Sequence, residues 1–226
     1  LVNFMYGNAC YSVGKNETAV NIAKQTETQP RNEAEYFTDD SGNKCLCTAF
    51  KALSFYMNYE TKDGGKEHYN DIIAQYNALY NDCFEDVSKA AREGDSKAVK
   101  ALAFFAAGAV DTLEVMDQAL YEIFARIREM YKAAVSVLND TIDNTDSQFV
   151  KLIYAYAVMK GCRMKLIQTE KYAAKAEDIF GKATDKHVAD KSDITGTASY
   201  VMAYSEYIRN REYQDYGRIN GGVLWN

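Results

Sequence analysis

The segment DQALYEIFARIREMYKAAVSVL, residues 117–138, carries the clearest structural signal in the chain. Its apolar side chains recur at intervals of three and four residues, which places them on one broad face of a helix. The opposite face is charged, and Glu122 and Arg126 stand one turn apart as a favourable pair. Because such a helix gains most of its stability by packing its apolar face, the segment predicts neighbouring helices.

Six further segments show the same periodicity, and a seventh, residues 96–114, is apolar on most sides. We expect helices over residues 16–24, 45–59, 67–80, 96–114, 148–168, 170–182 and 195–209. Loop-forming residues separate several of them, at 39–42, 62–65, 93–95 and 143–146. We expect Ser96 and Ser147 to cap the helices that they precede. The single proline of the chain, Pro30, also favours long helices with short connections.

The predicted fold class is therefore all-α, built from antiparallel helical hairpins, because short connections make successive helices neighbours. No change in composition marks a domain boundary, so we expect one helical domain over residues 1–226. Residues 211–226 combine aromatic side chains with glycines and lack a helical period. We expect an irregular C-terminal strap there, which either packs over the helices or closes a pocket with Trp225.

Composition excludes several classes of function. The chain is 47% hydrophobic and 26% charged, as in a soluble globular protein, and its net charge of −6 is spread without a basic patch. Nucleic acid is therefore not an expected partner. No apolar run reaches the roughly 18 residues that a membrane span needs, so we expect no membrane insertion. No phosphate-binding loop with the required context is present, and we expect no cofactor.

The five cysteines are scattered, odd in number and without Cys-x-x-Cys spacing. This pattern argues against a disulfide framework and against a zinc site, so we expect no metal. Cys45 and Cys47 would point away from each other on a helix. Unpaired, buried thiols favour a reducing, cytoplasmic location.

Few residues suggest acid–base chemistry. The two histidines, His68 and His187, lack a nucleophile at a meaningful spacing and are expected on the surface. Asp39 and Asp40 precede a predicted helix in an aromatic setting and are either a cap and turn or a catalytic pair. The candidate catalytic residues are Asp40 and Asp39, and the candidate substrate-binding residues are Tyr36, Phe37 and Trp225.

Five groups of segments occur in the same order as a set of known motifs. They are TQPR (28–31) with EYF (35–37), FYMNYE (55–60) with YNDIIAQ (69–75), AVDTLE (109–114), IYAYAVMKGCR (153–163) and GTASYVMAYSE (196–206). They resemble "hPRt…GgFwH", "PFyaeYe…YdDivkQ", "alvDTLe", "mfaYaiaKGvR" and "GvGpfimAysE". These are motifs of the unsaturated glycuronyl and rhamnogalacturonyl hydrolases, glycoside hydrolase families 88 and 105. The resemblance implies an (α/α) toroid, here partial or shortened.

The resemblance also implies what the site contains. These hydrolases hydrate the double bond of an unsaturated uronic sugar with an aspartate in "wlDgLyM", a motif that falls on residues 45–51. Cys47 stands at the aspartate position and Thr38 at that of the histidine in "GFwH". A thiol cannot serve as the carboxylic acid that donates a proton and then activates water.

Three functions follow from the sequence. The first is a divergent glycoside-hydrolase-like protein, inactive or with a remodelled carbohydrate site, whose partner is a small saccharide. The second is a non-enzymatic helical scaffold or interaction protein. The third is a working glycoside hydrolase for unsaturated uronic-acid saccharides that uses Asp40 or Asp39 in place of the aspartate lost at Cys47.

Overall fold

Nine α-helices make up most of the computed structural model, which describes residues 1–38, 45–117, 119–187 and 193–219. β-structure within these ranges is limited to one isolated bridge between Arg31 and Phe37. The helices are α1 Val2–Ser12, α2 Asn16–Ala23, α3 Ser54–Lys62, α4 Tyr69–Arg92, α5 Ser96–Val115, α6 Tyr121–Thr141, α7 Gln148–Arg163, α8 Thr169–His187 and α9 Ile194–Ile219. None of the helices in the described ranges is long and apolar enough to cross a membrane.

The chain divides into two compact units, Leu1–Thr141 and Ile142–Asn226. A single domain over residues 1–226 stays a prediction. In the first unit α5 is central, because it is apolar on most sides and packs against α3, α4 and α6. In the second unit α7 packs against both α8 and α9, and α8 packs against α9.

One close approach fixes the centre of the first unit. A π-helical turn, Ala49–Leu53, leads directly into α3 and lies against α5. At this contact Gly108 meets the backbone of Ala49 and Phe50 so closely that a Cβ atom would overlap it. The Tyr76 hydroxyl bonds to the Gly108 carbonyl at 3.2 Å, which joins α4 to the same point. Glycine is therefore required here for packing.

The second unit contains a buried charged cluster. Glu206 of α9 is 1% exposed and accepts a hydrogen bond from Arg163 Nε of α7 at 2.7 Å. Arg209 Nη1 donates to the same carboxylate at 3.1 Å. Because a buried carboxylate is stable only when its charge is matched, these pairs fix how α7 and α9 pack.

Each predicted helix has a counterpart in the structure, although several of the predicted bounds differ from the observed ones. The first helix, α1, was not expected, and α4 continues past the predicted end at residue 80 to Arg92. The cap of α5 is Asp95, whose side chain accepts from Lys97 N at 2.8 Å, whereas Ser147 caps α7 as expected.

The C-terminal strap also begins later than expected. Helix α9 continues through residues 211–219 as far as Ile219. Residues 211–214, Arg-Glu-Tyr-Gln, lack glycine and proline, so nothing there ends a helix. Residues 220–226 lie outside the described part of the chain.

Candidate functional site

A polar cleft of about 230 Å³ opens in the first unit, at the start of α4 and along α3. Small-molecule sites usually measure about 300–1,000 Å³, so this cleft suits a ligand of about one ring. Its wall combines cationic, anionic and phenolic side chains. They are Ala23, Lys24, Thr26, Glu27, Arg31, Tyr56, Tyr59, Glu60, His68 and Asp71.

A bidentate ion pair forms one wall. Arg31 Nη1 and Nη2 donate to the two carboxylate oxygens of Asp71, each at 2.7 Å. Gln75, one turn later in α4, donates to Asp71 Oδ2 at 3.0 Å and accepts from the Phe37 backbone N–H at 3.0 Å. The Arg31 guanidinium also lies 4.9 Å from the centre of the Phe37 ring. This network holds both charged groups in fixed positions.

The network keeps Asp71 ionised. Burial opposes its ionisation, but hydrogen bonds and charge from Arg31 prevail, with help from Gln75 and Tyr56, and lower the pKa of Asp71 below its usual value. The same pairing raises the pKa of Arg31, although burial works against it. A carboxylate held in this state accepts hydrogen bonds and has no proton to give at neutral pH.

A carboxylate–imidazole pair also lines the cleft. The Glu60 side chain is fully buried, whereas the His68 side chain is 51% exposed. Glu60 Oε1 lies 3.0 Å from His68 Nδ1, and Glu60 Oε2 accepts from the His68 backbone N–H at 3.1 Å. Since a carboxylate oxygen accepts, the pair assigns the proton to Nδ1 and leaves Nε2 for a ligand.

Glu60 reaches this position because Gly64 lies beside it. A Cβ atom at Gly64 would come within 2.5 Å of Glu60 Oε1. The Glu60 carboxylate also binds the residue that precedes α4, since His68 occupies the N-cap position. The histidine expected on the surface is thus partly exposed, but a buried carboxylate orients it.

Two tyrosines complete the cleft as hydrogen-bond donors. Burial, then the charges of Asp71 and Glu60, raise the pKa of Tyr56. Burial, then Glu60, Asp63 and Glu27, raise the pKa of Tyr59. Both phenols therefore keep their protons at neutral pH. With Arg31 and His68 they give the cleft donors beside carboxylate acceptors, a combination that suits a ligand rich in hydroxyl groups.

Of the site residues predicted from the sequence, Tyr36 and Phe37 lie in the described part of the chain and do not line the cleft. Tyr36 and Phe37 are fully buried. The Tyr36 hydroxyl donates to Asp82 at 2.8 Å, and Phe37 packs against Phe4 and Tyr56. Phe37 thus backs the wall formed by Arg31, whereas substrate contact by either residue stays a prediction.

Asp39, Asp40 and Trp225 lie outside the described residues. Their proposed roles in catalysis and substrate binding therefore stay predictions. No group of three or more His, Cys, Asp or Glu side chains in the described ranges could hold a metal ion.

One expectation about the cysteines is wrong. Cys45 and Cys47 form a disulfide, with their Cα atoms 5.1 Å apart, whereas Cys10, Cys83 and Cys162 are buried thiols outside this disulfide. The expectation assumed that both residues lie within a helix. They lie instead in the turn before the helix that begins at Thr48, where the two side chains can meet.

A second depression, of about 580 Å³, lies in the second unit. Its wall includes Lys175 and Lys182, which pair with Asp143 at 2.9 Å and Asp178 at 2.6 Å. The aspartates and Lys182 are more than half exposed. Exposed pairs of this kind fix geometry weakly, so the cleft in the first unit is the better-formed site.

Sequence reasoning missed Glu60 and His68 as a pair, and Arg31 and Asp71 as a pair. Three of the four, Arg31, Glu60 and Asp71, lie within segments that resemble the hydrolase motifs. That resemblance was the available signal, but it gave no partner for any of them. The partners are separated by 8 and 40 residues and come together only in the folded chain.

Together these helices define an all-α protein of packed helical hairpins. No protein-family model and no curated protein matches the sequence. A solved glycoside hydrolase of family 105 from C. acetobutylicum ATCC 824 is similar in structure, with a TM-score of 0.59 at 15% identity. The match covers 77% of this chain and 61% of that one. The chain therefore has a glycoside-hydrolase-like fold, which confirms the predicted all-α class.

Proposed function

We propose that this chain is a divergent glycoside-hydrolase-like protein that binds a small saccharide in the cleft of Arg31, Tyr56, Tyr59, Glu60, His68 and Asp71 without hydrolysing it. One observation carries the proposal. The position that the resemblance gives to the catalytic aspartate is Cys47, and its sulfur is bonded to Cys45. A disulfide sulfur can neither donate a proton nor activate water.

The cleft supports binding more than catalysis. Hydration of an unsaturated uronic sugar needs a carboxyl group that holds a proton at the working pH, donates it and then activates water. Asp71 is unsuited to that role because Arg31 keeps it ionised. Its fixed charge, the Tyr59 phenol and His68 remain as partners for sugar hydroxyls, and each such hydrogen bond contributes about 1 kcal/mol.

Two measurements test the proposal together. An unsaturated uronic disaccharide, followed by the loss of its ultraviolet absorbance, should show no turnover. The same sugar, titrated into labelled protein, should shift the NMR signals of His68. Tyr59→Phe should weaken binding about fivefold, the equivalent of one hydrogen bond. Tyr121→Phe is the matched control, because Tyr121 is 79% exposed and lies outside the cleft.

The outcomes separate the three functions. Turnover that disappears in Asp40→Asn would show an enzyme with a replacement acid and would overturn the proposal. Neither turnover nor any shift at His68, across acidic and neutral saccharides, would favour the scaffold. Binding that weakens equally in Tyr59→Phe and Tyr121→Phe would place the sugar elsewhere.

The scaffold alternative has a specific observation in its favour. Helix α1 carries no charged residue, and Val2, Met5 and Tyr6 on this helix and Val13 directly after it are exposed. These four recur at helical spacing and form one apolar stripe. Such a stripe is typical of a protein contact surface. If it binds a second copy of this chain, Tyr6→Ser should lower the mass measured by light scattering at high concentration.

A further inference from the structure

The resemblance gives position 47 to an aspartate that does acid–base chemistry, whereas this chain has a disulfide-bonded cysteine there, which suits redox chemistry. Cys45 and Cys47 are bonded across a single intervening residue, and both are partly exposed. The other three cysteines are buried, with exposures of 1% for Cys10, 7% for Cys83 and 4% for Cys162. Only the Cys45–Cys47 pair, among the described cysteines, is both bonded and open to a dissolved reactant.

The backbone around this pair favours a sulfur anion. The Cys47 backbone N–H donates to Cys45 Sγ at 3.2 Å. A continuous helical segment begins at Thr48 and continues through the π-helical turn and α3, so its N-terminus lies directly after the pair. Helix N-termini stabilise thiolates, and Lys51 adds a positive charge one turn after Cys47.

The small size of the loop between Cys45 and Cys47 also favours reversible reduction of this disulfide. A disulfide stabilises a protein mainly by closing a loop in the unfolded chain, and short loops contribute least. The Cys45–Cys47 loop encloses one residue, so reduction removes little folding free energy. The folded protein can therefore hold the pair in either redox state.

We propose that Cys45 and Cys47 form a thiol–disulfide exchange site for low-molecular-weight thiols. The thiolate of one small thiol attacks Cys47 Sγ, the Cys45–Cys47 bond breaks, and its electron pair moves to Cys45 Sγ. The Cys47 N–H bond makes Cys45 the better leaving group, and Cys45 then takes a proton from water. A second small thiol attacks the mixed disulfide on Cys47 and leaves as a small-molecule disulfide. Two thiols are oxidised and one protein disulfide is reduced, with no further reactant.

This site does not depend on saccharide binding. The buried cysteines provide the internal comparison, because burial raises the pKa of Cys162 to about 11 and keeps that thiol protonated. A protonated, buried thiol exchanges slowly.

The test uses the folded full chain in buffers of varied reduced-to-oxidised glutathione ratio, quenched by alkylation and read by peptide mass spectrometry. Cys45 and Cys47 should change together and reversibly between disulfide and dithiol, while Cys10, Cys83 and Cys162 stay unlabelled until urea is added. Cys45→Ser should accumulate glutathione on Cys47. Cys83→Ser should leave the Cys45–Cys47 transition unchanged.

Three results would overturn the proposal. The first is that Cys45 and Cys47 are reduced thiols at every glutathione ratio, and the second is that their disulfide opens only in urea. The third is that each cysteine carries its own glutathione adduct and no disulfide forms between them. The wild-type titration decides among these results by itself, so the proposal stays testable if Cys45→Ser does not fold. Circular dichroism at each ratio establishes that the exchange occurs in the folded chain.

Discussion

Replacing Asp71 by asparagine separates the charge of this residue from its shape. The variant keeps one oxygen acceptor but presents an amide NH₂ to Arg31, where the wild type has a second oxygen at 2.7 Å. It also removes a negative charge from the first turn of α4. The lost hydrogen bond to a charged donor is equivalent to about 1.5–3 kcal/mol, and the helix-dipole contribution to about 0.3–1 kcal/mol.

Partial exposure reduces this sum. The Arg31 side chain is 30% exposed and that of Asp71 is 26% exposed, so solvent screens part of the interaction. We therefore expect a loss of about 1–2 kcal/mol in the free energy of unfolding at neutral pH. Because the chain forms two compact units, global unfolding need not be two-state. Hydrogen exchange of the α4 amides, read by mass spectrometry, reports the first unit directly.

The sign of the pH dependence follows from the pKa of Asp71. That pKa is lower in the folded chain than the ordinary value of 3.8, because Arg31 stabilises the charged form. The contribution is therefore fully present above the unfolded pKa and is lost as the pH falls through the folded pKa. The difference between wild type and Asp71→Asn should thus be constant above about pH 5 and shrink below about pH 4.

Asp178→Asn is the matched control. Asp178 pairs with Lys182 at 2.6 Å, but both side chains are more than half exposed and one helical turn apart. Its loss, read from hydrogen exchange of the α8 amides, should cost much less than the loss of Asp71. The reasoning fails if Asp71→Asn costs no more than this control, or if its cost is the same at pH 3 as at pH 7.

Two pairs of substitutions test the packing and capping described above by urea unfolding. Gly108→Ala should destabilise the first unit by about 1–3 kcal/mol, because its Cβ would overlap the π-helical turn. Gly181→Ala, where nothing lies within 4 Å, should stabilise the second unit by about 0.5–1 kcal/mol. Asp95→Ala should cost about 1 kcal/mol as the loss of a helix cap, and Ser96→Ala less than about 0.5 kcal/mol. Equal effects of Gly108→Ala and Gly181→Ala would contradict the close packing at Gly108. Equal effects of Asp95→Ala and Ser96→Ala would contradict Asp95 as the cap of α5.

The sequence predicted those helices whose two faces differ, or which are apolar throughout. The segment expected at residues 96–114 is α5, Ser96–Val115, because alanine-rich apolar sequence has no good alternative to a buried helix. α1 lacks this contrast. Its buried residues include Phe4 and Tyr11, but Val2 and Met5 on the exposed side are equally apolar, so periodicity does not stand out.

The errors at helix ends have local causes. The end of α4 was placed too early because charged residues follow Tyr80, although Cys83, Phe84 and Ala91 continue the buried stripe. The cap at Asp95 was missed because Asp and Ser are adjacent and both are good caps. Only the backbone conformation decides between them, since Asp95 is extended and Ser96 is already helical.

The site was less predictable, because its pairs depend on tertiary structure. Periodicity shows which face of a helix is buried, but it does not show that the loop after α3 returns His68 to Glu60. Nor does spacing predict that Arg31, in a segment without regular structure, reaches Asp71 of α4. A partner across 40 residues follows only from the packed first unit.

The segments that resemble the hydrolase motifs bind one another in this chain. Arg31 of TQPR pairs with Asp71 of YNDIIAQ, and Arg163 of IYAYAVMKGCR pairs with Glu206 of GTASYVMAYSE. Each contact joins two segments that are far apart in the chain but lie within one unit. Acid–base chemistry depends instead on the side chains at a few single positions. A shared fold therefore does not establish a shared activity, and activity must be argued from the site alone.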